Sequence, residues 1–319
     1  MHLDKKTCLV RGGAGFIGSN LVDALLEKGY KVFALDNLLT GSEDNLTLAK
    51  KHPDFTFIKY DVINAPPVLG PIDYIYHLAS PASVPDYQKF AEETALVNTV
   101  GTRGLLKVAK AHNAKFLFTS TSEVYGDPKE HPQKETYWGN VNPNGARACY
   151  DEAKRFGEMM TLLYVSKYGV DARVARIFNT YGPRMRPTDG RVISNFVNQV
   201  LENKPMTVYG DGLQTRSICF VSDMVAGLIK LMETDGTKGQ VVNIGNPEEY
   251  TMLDLAKKIQ GLMNAETGIV HEPLPPDDPT KRRPDISKAN ELLGWKPTVS
   301  ADDGLKKTIE YYKQLTINN

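Results

Sequence analysis

Tyr150 and Lys154 stand four residues apart in a stretch of helical character (YDEAK), a spacing that puts both side chains on one helix face. A phenol beside a fixed ammonium ionises more readily. Tyr150 can then take a proton from a substrate hydroxyl as hydride leaves the carbon that bears it, with Lys154 lowering the phenol pKa and binding a hydroxyl of the group that accepts the hydride. Alone the pair says little, because any long helix can contain this spacing as an exposed surface pair. Its weight comes from Gly12 to Gly18, which reads GGAGFIG and in which Gly13, Gly15 and Gly18 satisfy GxGxxG between an apolar run and a helix pattern. Such glycines let the backbone approach a pyrophosphate, and the helix beginning near Phe16 offers unpaired N–H groups and partial positive charge. Asp36 follows Gly18 by eighteen positions. Its carboxylate suits the ribose hydroxyls of adenosine and repels a 2′-phosphate, so NAD is favoured over NADP. Asp61-Val62, after another strand-like run, is expected to face the adenine, although an aspartate ending a strand is also a common turn former.

The stretch Phe118 to Gly126 reads FTSTSEVYG and follows a strand pattern starting at Lys115, where open αβ sheets bind ligands at the carboxyl edge. Thr121 and Ser122 can hydrogen-bond a reacting hydroxyl, and Glu123 adds a carboxylate. A serine and threonine cluster after a strand is more often plain turn chemistry; its position raises it.

Positioning these groups requires a scaffold, and the apolar pattern describes one. Thr7 to Val10, Lys31 to Asp36, Tyr74 to Leu78 and Lys115 to Thr119 read as strands, and Ser19 to Glu27 as a helix with Gly29 as its left-handed cap. Strand and helix alternating in this way predict an α/β, doubly wound parallel sheet of the Rossmann type. After Asn179 the texture changes: Pro183, Pro187, Pro205, Gly210 and Gly212, and later Pro273, Pro275, Pro276 and Pro279, break the chain. Phe220 to Met232 reads as a helix and Val241 to Ile244 as a buried strand returning to the sheet. The expected division is a dinucleotide-binding domain over 1–179 with return segments near 217–245, and a smaller loop-rich lobe from 180–216 and 246–319.

The 319 residues carry 38 basic and 38 acidic side chains, so no summed positive field gathers nucleic acid or anionic lipid. Met1 to Lys6 leads straight into Thr7 to Val10 without a signal-peptide pattern, and no run of about 18 apolar residues follows, so a soluble cytoplasmic protein is expected. Cys8, Cys149 and Cys219 are far apart and form no CxxC pair, which suggests neither a disulfide framework nor a zinc site. Cys149, next to Tyr150, reads as a small buried hydrophobe.

Taken together the motifs resemble the extended short-chain dehydrogenase/reductase family over essentially the whole chain. Within it, they are most similar to the UDP-glucuronate decarboxylases. The matching stretches are HLASPAS from His77, TSTSEVYGDP from Thr119, ETYWGNVNP from Glu135, ACYDEAKR from Ala148, ARIFNTYGPRM from Ala175, DGRVISNF from Asp189, TVYGDGLQTRS from Thr207 and RRPDI from Arg282. The resemblance implies cofactor contacts from Gly12, Gly15, Phe16, Ile17, Gly18, Asp36, Asn37, Thr40, Gly41, Asp61, Val62, Leu78, Ala79, Ser80 and Thr119, beside Tyr150 and Lys154. It places Asn179, Arg191, Val192, Tyr209, Arg216 and Arg282 around a uridine diphosphate, where a guanidinium makes paired hydrogen bonds to phosphate.

The family's 4,6-dehydratases carry Thr-Asp-Glu before Val-Tyr-Gly, because eliminating water needs an acid and a base, and its 4-epimerases usually lack the glutamate. Here the triplet is Thr121-Ser122-Glu123. Oxidation at carbon 4 of UDP-glucuronate would give a β-keto acid that loses carbon dioxide without a separate base. Protonation at carbon 5 and return of the hydride would then yield UDP-xylose with NAD restored. Glu123 would position the sugar or a water, and Arg282 would lie near the carboxylate or help to protonate. The alternatives are a related 4-epimerase or 4,6-dehydratase or, from another class, a non-catalytic dinucleotide-binding regulator, against which the retained Tyr150, Lys154 and Glu123 argue.

Two residues depart from the pattern. Arg11 replaces the family's usual threonine before the glycines, adding charge near the cofactor or altering the loop. Leu96 replaces a lysine that helps the decarboxylases hold substrate, for which Arg103 could compensate. Helices around Ala91 to Ala111 and Asp151 to Lys167 resemble a family dimer interface, which implies a homodimer.

Overall fold

The computed structural model describes residues 5–64, 67, 69–274 and 281–317; Pro275, Pro276, Pro279 and Met1 to Asp4 lie outside these. Strands β1 (Thr7–Arg11), β2 (Lys31–Asp36), β3 (Phe55–Lys59), β4 (Tyr74–His77), β5 (Lys115–Thr121) and β6 (Ala172–Ile177) alternate with helices α1 (Phe16–Glu27), α2 (Val84–Lys89), α3 (Ala91–Leu96), α4 (Thr102–His112) and α5 (Ala148–Tyr168). Further along come β7 (Thr180–Tyr181), α6 (Val192–Leu201), β8 (Met206–Tyr209), β9 (Thr215–Ser217), β10 (Cys219–Phe220), α7 (Val221–Glu233) and β11 (Val241–Ile244). The chain ends with β12 (Glu249–Thr251), α8 (Met252–Met263), β13 (Ile269–Glu272), β14 (Lys281–Arg282), α9 (Ser287–Leu293) and α10 (Ala301–Ile317).

Seven strands form one sheet in the order β11-β6-β5-β4-β1-β2-β3, with every pairing parallel. Successive side chains on each strand serve opposite faces. Cys8 and Val10 of β1 pack with Leu21, Leu25 and Leu228 from α1 and α7, whereas Leu9 packs with Leu105, Leu106 and Tyr164 from α4 and α5. Both faces are therefore helix-covered, the doubly wound arrangement expected. The order reverses between β1 and β4, and the crevice at such a switch point is where open αβ sheets take ligands.

The expected strands β2 and β11 have the bounds read from sequence, and Gly29 closes α1 with φ +81°. Strand β5 runs two residues beyond the expected Thr119, because β6 continues alongside and pairs Ser120 with Arg176 and Thr121 with Ile177. Thr121 is thus the last strand residue rather than part of a turn. The later segments build small sheets, β12-β9-β14 and β13-β8, which carry Tyr209, Arg216 and Arg282.

Candidate active site

A cavity of about 730 Å³ opens along the carboxyl ends of the parallel strands. Its floor begins at the glycine turn. Gly12 has φ +81°, and a Cβ there would lie 2.6 Å from the Ala79 nitrogen; a Cβ on Gly18 would lie 1.9 Å from the Gly12 oxygen. Gly12, Gly15 and Gly18 line the cavity. Gly13 does not: a Cβ on it would meet Ala34 at 2.6 Å, so this glycine serves packing against β2. The ligand-facing spacing is therefore GxxGxxG rather than the GxGxxG read from sequence.

Helix α1 starts at Phe16 with Gly15 as a cap that makes no side-chain hydrogen bond, and its first turn has no acidic residue. That end keeps its partial positive charge for an anion. Asp36, buried at the end of β2, accepts hydrogen bonds from the Ala14 nitrogen (3.0 Å) and the Leu38 nitrogen (2.8 Å). Burial pushes its carboxyl up, and these backbone donors pull it back. A carboxylate has lone pairs beyond two bonds, so the ribose role remains open to it. The glycine cradle, uncapped helix and strand-end acid fit a dinucleotide.

Phe16, Ile17, Thr40, Leu78, Ser80 and Thr119 line the same cavity, and Asp36, Asn37, Val62 and Ala79 line a smaller recess that shares Gly12 and Gly15 with it. Gly41 and Asp61 line neither. Gly41 packs under Ala14 and Asp36, and Asp61 acts as the turn former, accepting from the Ile63 nitrogen at 3.0 Å and the Asn64 amide at 2.8 Å. Arg11 is wholly buried, and its Nη2 donates to the Asn64 carbonyl at 2.5 Å and the Asp61 carbonyl at 3.5 Å. It braces this turn. Burial lowers it to about 10, which still leaves it cationic at neutral pH.

The cavity's chemical end is built where α5 crosses β5. A Cβ on Gly157 would lie 2.3 Å from the Phe118 ring, so only a glycine lets the helix come this close to the strand. The buried Glu158 carboxylate clamps the same contact, accepting from Arg176 Nε (2.9 Å) and Nη2 (2.7 Å) and from the Ser120 hydroxyl (2.5 Å). Tyr150 and Lys154 are thereby both buried and both on the cavity wall. Lys154 Nζ donates to the Thr119 carbonyl at 2.8 Å and lies 5.6 Å from the Tyr150 ring centre. Burial is the largest influence on the proton affinity of both side chains. Burial pushes Tyr150 up to about 12, with the Thr121 hydroxyl opposing it, and burial pushes Lys154 down to about 7. Desolvation disfavours the charged form of each.

Thr121 caps the short turn after β5 by accepting from the Glu123 nitrogen at 3.2 Å, which sets Ser122 and Glu123 on the wall. Glu123 is held by both Arg147 and Arg282, and despite its burial these charges bring its carboxyl down to about 2. Arg282 Nη2 also donates to the Gly126 carbonyl at 2.8 Å. Asn179, Arg191, Val192, Tyr209, Arg216 and Arg282 all line the cavity. Leu96 and Arg103 do not, and Arg103 lies in a separate recess with Lys107 and His112, so it does not compensate for Leu96 in this site.

Three neighbours escaped the sequence reading. Arg147 precedes Tyr150 by one helical turn, a spacing that could have revealed it. Tyr87 comes from α2 and stacks on Tyr150 with ring centres 5.0 Å apart and planes 9° apart, a contact with no local signal. Asp151 is buried beside them, and burial with the Glu123 charge raises its carboxyl to about 7. Cys149 is half-buried rather than buried, its Sγ 3.4 Å from the Tyr87 carbonyl. Among the described residues, no cluster of three or more His, Cys, Asp or Glu could hold a metal ion.

The sequence pattern of the GDP-mannose 4,6 dehydratase family matches residues 9–308. UDP-glucuronic acid decarboxylase 2 of Arabidopsis thaliana is 52% identical over 306 residues, covering 96% of this chain and 68% of the relative. UDP-glucuronic acid decarboxylase 1 of Danio rerio is 49% identical over 311 residues, 98% of this chain and 73% of the relative. Among solved structures, UDP-glucuronic acid 4-epimerase of Bacillus cereus in complex with UDP-glucuronic acid and NAD superposes with TM-score 0.89 at 32% identity, covering 97% of this chain and 99% of that one.

Proposed function

Since the chain belongs to the NAD-dependent epimerase/dehydratase family of extended short-chain dehydrogenases/reductases, we propose that it decarboxylates UDP-glucuronate to UDP-xylose, with NAD as a recycled cofactor. The observation that carries this reading is Glu123. It is locked as an anion between two arginines, with Ser122 where a dehydratase needs an acid. NAD supplies a reversible hydride acceptor and a positive charge. Gly12, Gly15, Gly18, Asp36 and Lys154 would hold it, with the remaining wall residues around them.

The chain's own residues supply the rest. Tyr150, bonded to Thr121, exchanges the proton of the carbon 4 hydroxyl. With carbon 4 at the ketone level, the electrons of the departing carboxylate pass into that carbonyl, and no further base is needed. Arg191, Arg216, Asn179, Val192 and Tyr209 are assigned to the nucleotide, the guanidiniums to its phosphates. Arg282 and Glu123 are assigned to the sugar-acid end.

Residues 1–179 with 217–245 are assigned to cofactor binding, and 180–216 with 246–319 to the nucleotide sugar. We assign two copies to the working molecule and the cytoplasm as its compartment, which fractionation checks. Among the described residues no helix is long and apolar enough to cross a membrane.

Purified protein incubated with UDP-glucuronate should release carbon dioxide and UDP-xylose without net NADH, and Tyr150→Phe should lose this turnover while keeping bound NAD. Unchanged substrate after long incubation would overturn the reading. UDP-galacturonate as product would point to the epimerase, and turnover of dTDP-glucose to the dehydratase.

A further inference from the structure

Glu123 meets guanidinium groups from two distant parts of the chain. Arg282 arrives on β14 and donates to Oε1, whereas Arg147, at the N-terminal edge of α5, donates to Oε2. A single arginine would leave one oxygen to rotate; two from different directions define the carboxylate plane. Arg147 is itself held in a packed setting. Its Cζ lies 6.0 Å from the Tyr87 ring centre, and its Nε lies 3.9 Å from Asp151 Oδ2. The other Asp151 oxygen, Oδ1, is buried without a hydrogen-bond partner, and Asp151 takes no part in the cavity wall. Of these two buried carboxyls, Arg147 donates a hydrogen bond to the one that reaches the cavity.

We propose that Arg147 is a positioning residue for decarboxylation, fixing Glu123 as an oriented anion against the sugar-acid end of the substrate. This rests on the reading of the site as a UDP-glucuronate decarboxylase. Arg147 acts through Glu123: without it, burial favours the neutral acid, and a single arginine leaves the side chain free to turn. Among the described residues, the ionisable groups around Glu123 include Arg147 and Asp151, Tyr150 on α5, Tyr87 on α2, Arg216 on β9 and Arg282 on β14. Among these, Arg282 and Arg147 carry the hydrogen bonds to the carboxylate.

The test compares Arg147→Met and Arg147→Lys with the wild-type holoenzyme on UDP-glucuronate, with bound NAD and melting temperature confirming the fold. Arg147→Met should lower kcat by about tenfold to a hundredfold, with KM changed by less than about threefold. It should also bring an acid limb into the kcat profile, because Glu123, held at about 2 in the wild type, titrates higher once one cation is gone. Arg147→Lys, which keeps the charge but not the planar fork, should recover part of kcat and move the limb back down. A Met variant with wild-type kcat, with a raised KM alone, or with lowered kcat and no acid limb would overturn the proposal. Should the wild type leave UDP-glucuronate untouched, it is the functional reading that fails; the limb is then read on whichever nucleotide sugar the wild type turns over, and its absence there overturns the role of Arg147.

Discussion

Asp151 is a buried carboxyl whose neighbours set its proton affinity. Burial and the Glu123 charge raise it from 3.8 to about 7, against the pull of Arg147. Between these values the folded chain keeps a proton that the unfolded chain releases, so this residue makes stability fall as pH rises from about 4 to 7. Asp151→Asn removes that dependence. The melting temperature of the variant relative to wild type should therefore rise by about 2–4 °C between pH 5 and pH 8 in calorimetry, and a constant difference would contradict this. Glu123 works in the other direction: its folded value of about 2 lies below the ordinary 4.5, so its stabilisation is present above the latter and lost towards pH 2. Residue types and local spacing were enough to nominate Tyr150, Lys154 and Glu123. Their proton affinities were not legible, because burial sets them for Tyr150 and Lys154 and two arginines from elsewhere in the chain set it for Glu123, and no spacing reports either.

At the scale of elements, the closeness of α5 to β5 decides whether Tyr150 and Lys154 reach Thr119 and Thr121. Gly157 permits it, since its missing Cβ would sit against the Phe118 ring. Alanine there favours the helix by about 1 kcal/mol, but overpacking a buried aromatic costs about 1–3 kcal/mol. Gly157→Ala should thus lower the denaturant midpoint and reduce kcat as the helix shifts outward; an unchanged midpoint would show that the contact relaxes freely. The strand, turn and helix of the cofactor cradle were legible as elements, because alternating apolar runs and glycines are local signals. The choice of Gly12, which the family resemblance implied, over Gly13 was not legible in the spacing, since it depends on which backbone faces Ala79 and which faces Ala34.

For the whole molecule, the outer face of α5 presents Phe156, Met159 and Leu163 at helical spacing, each 38–48% exposed, with Val100 also exposed just before α4. Apolar side chains in such a stripe suit burial against a second copy through a twofold contact. Light scattering at micromolar concentration should give twice the chain mass of 35.4 kDa, and Phe156→Glu combined with Leu163→Glu should give the single mass. A monomeric wild type would refute the assembly. The face lies on the same helix as Tyr150 and Lys154, so a second copy seated there would share one element with the site.

What the sequence determined by itself was local in origin: the parallel αβ order, the glycine turn before α1, the Tyr-Lys pair and the Thr-Ser-Glu triplet. Each is written within a few residues, where periodicity, backbone freedom or side-chain type is sufficient. Only the tertiary structure decided that Arg11 braces the 61–64 turn, that Tyr87 stacks on Tyr150, and that Arg147 joins Arg282 on Glu123. These are contacts between groups brought together by packing, and their energies come from burial and charge at distances that the order of residues does not encode.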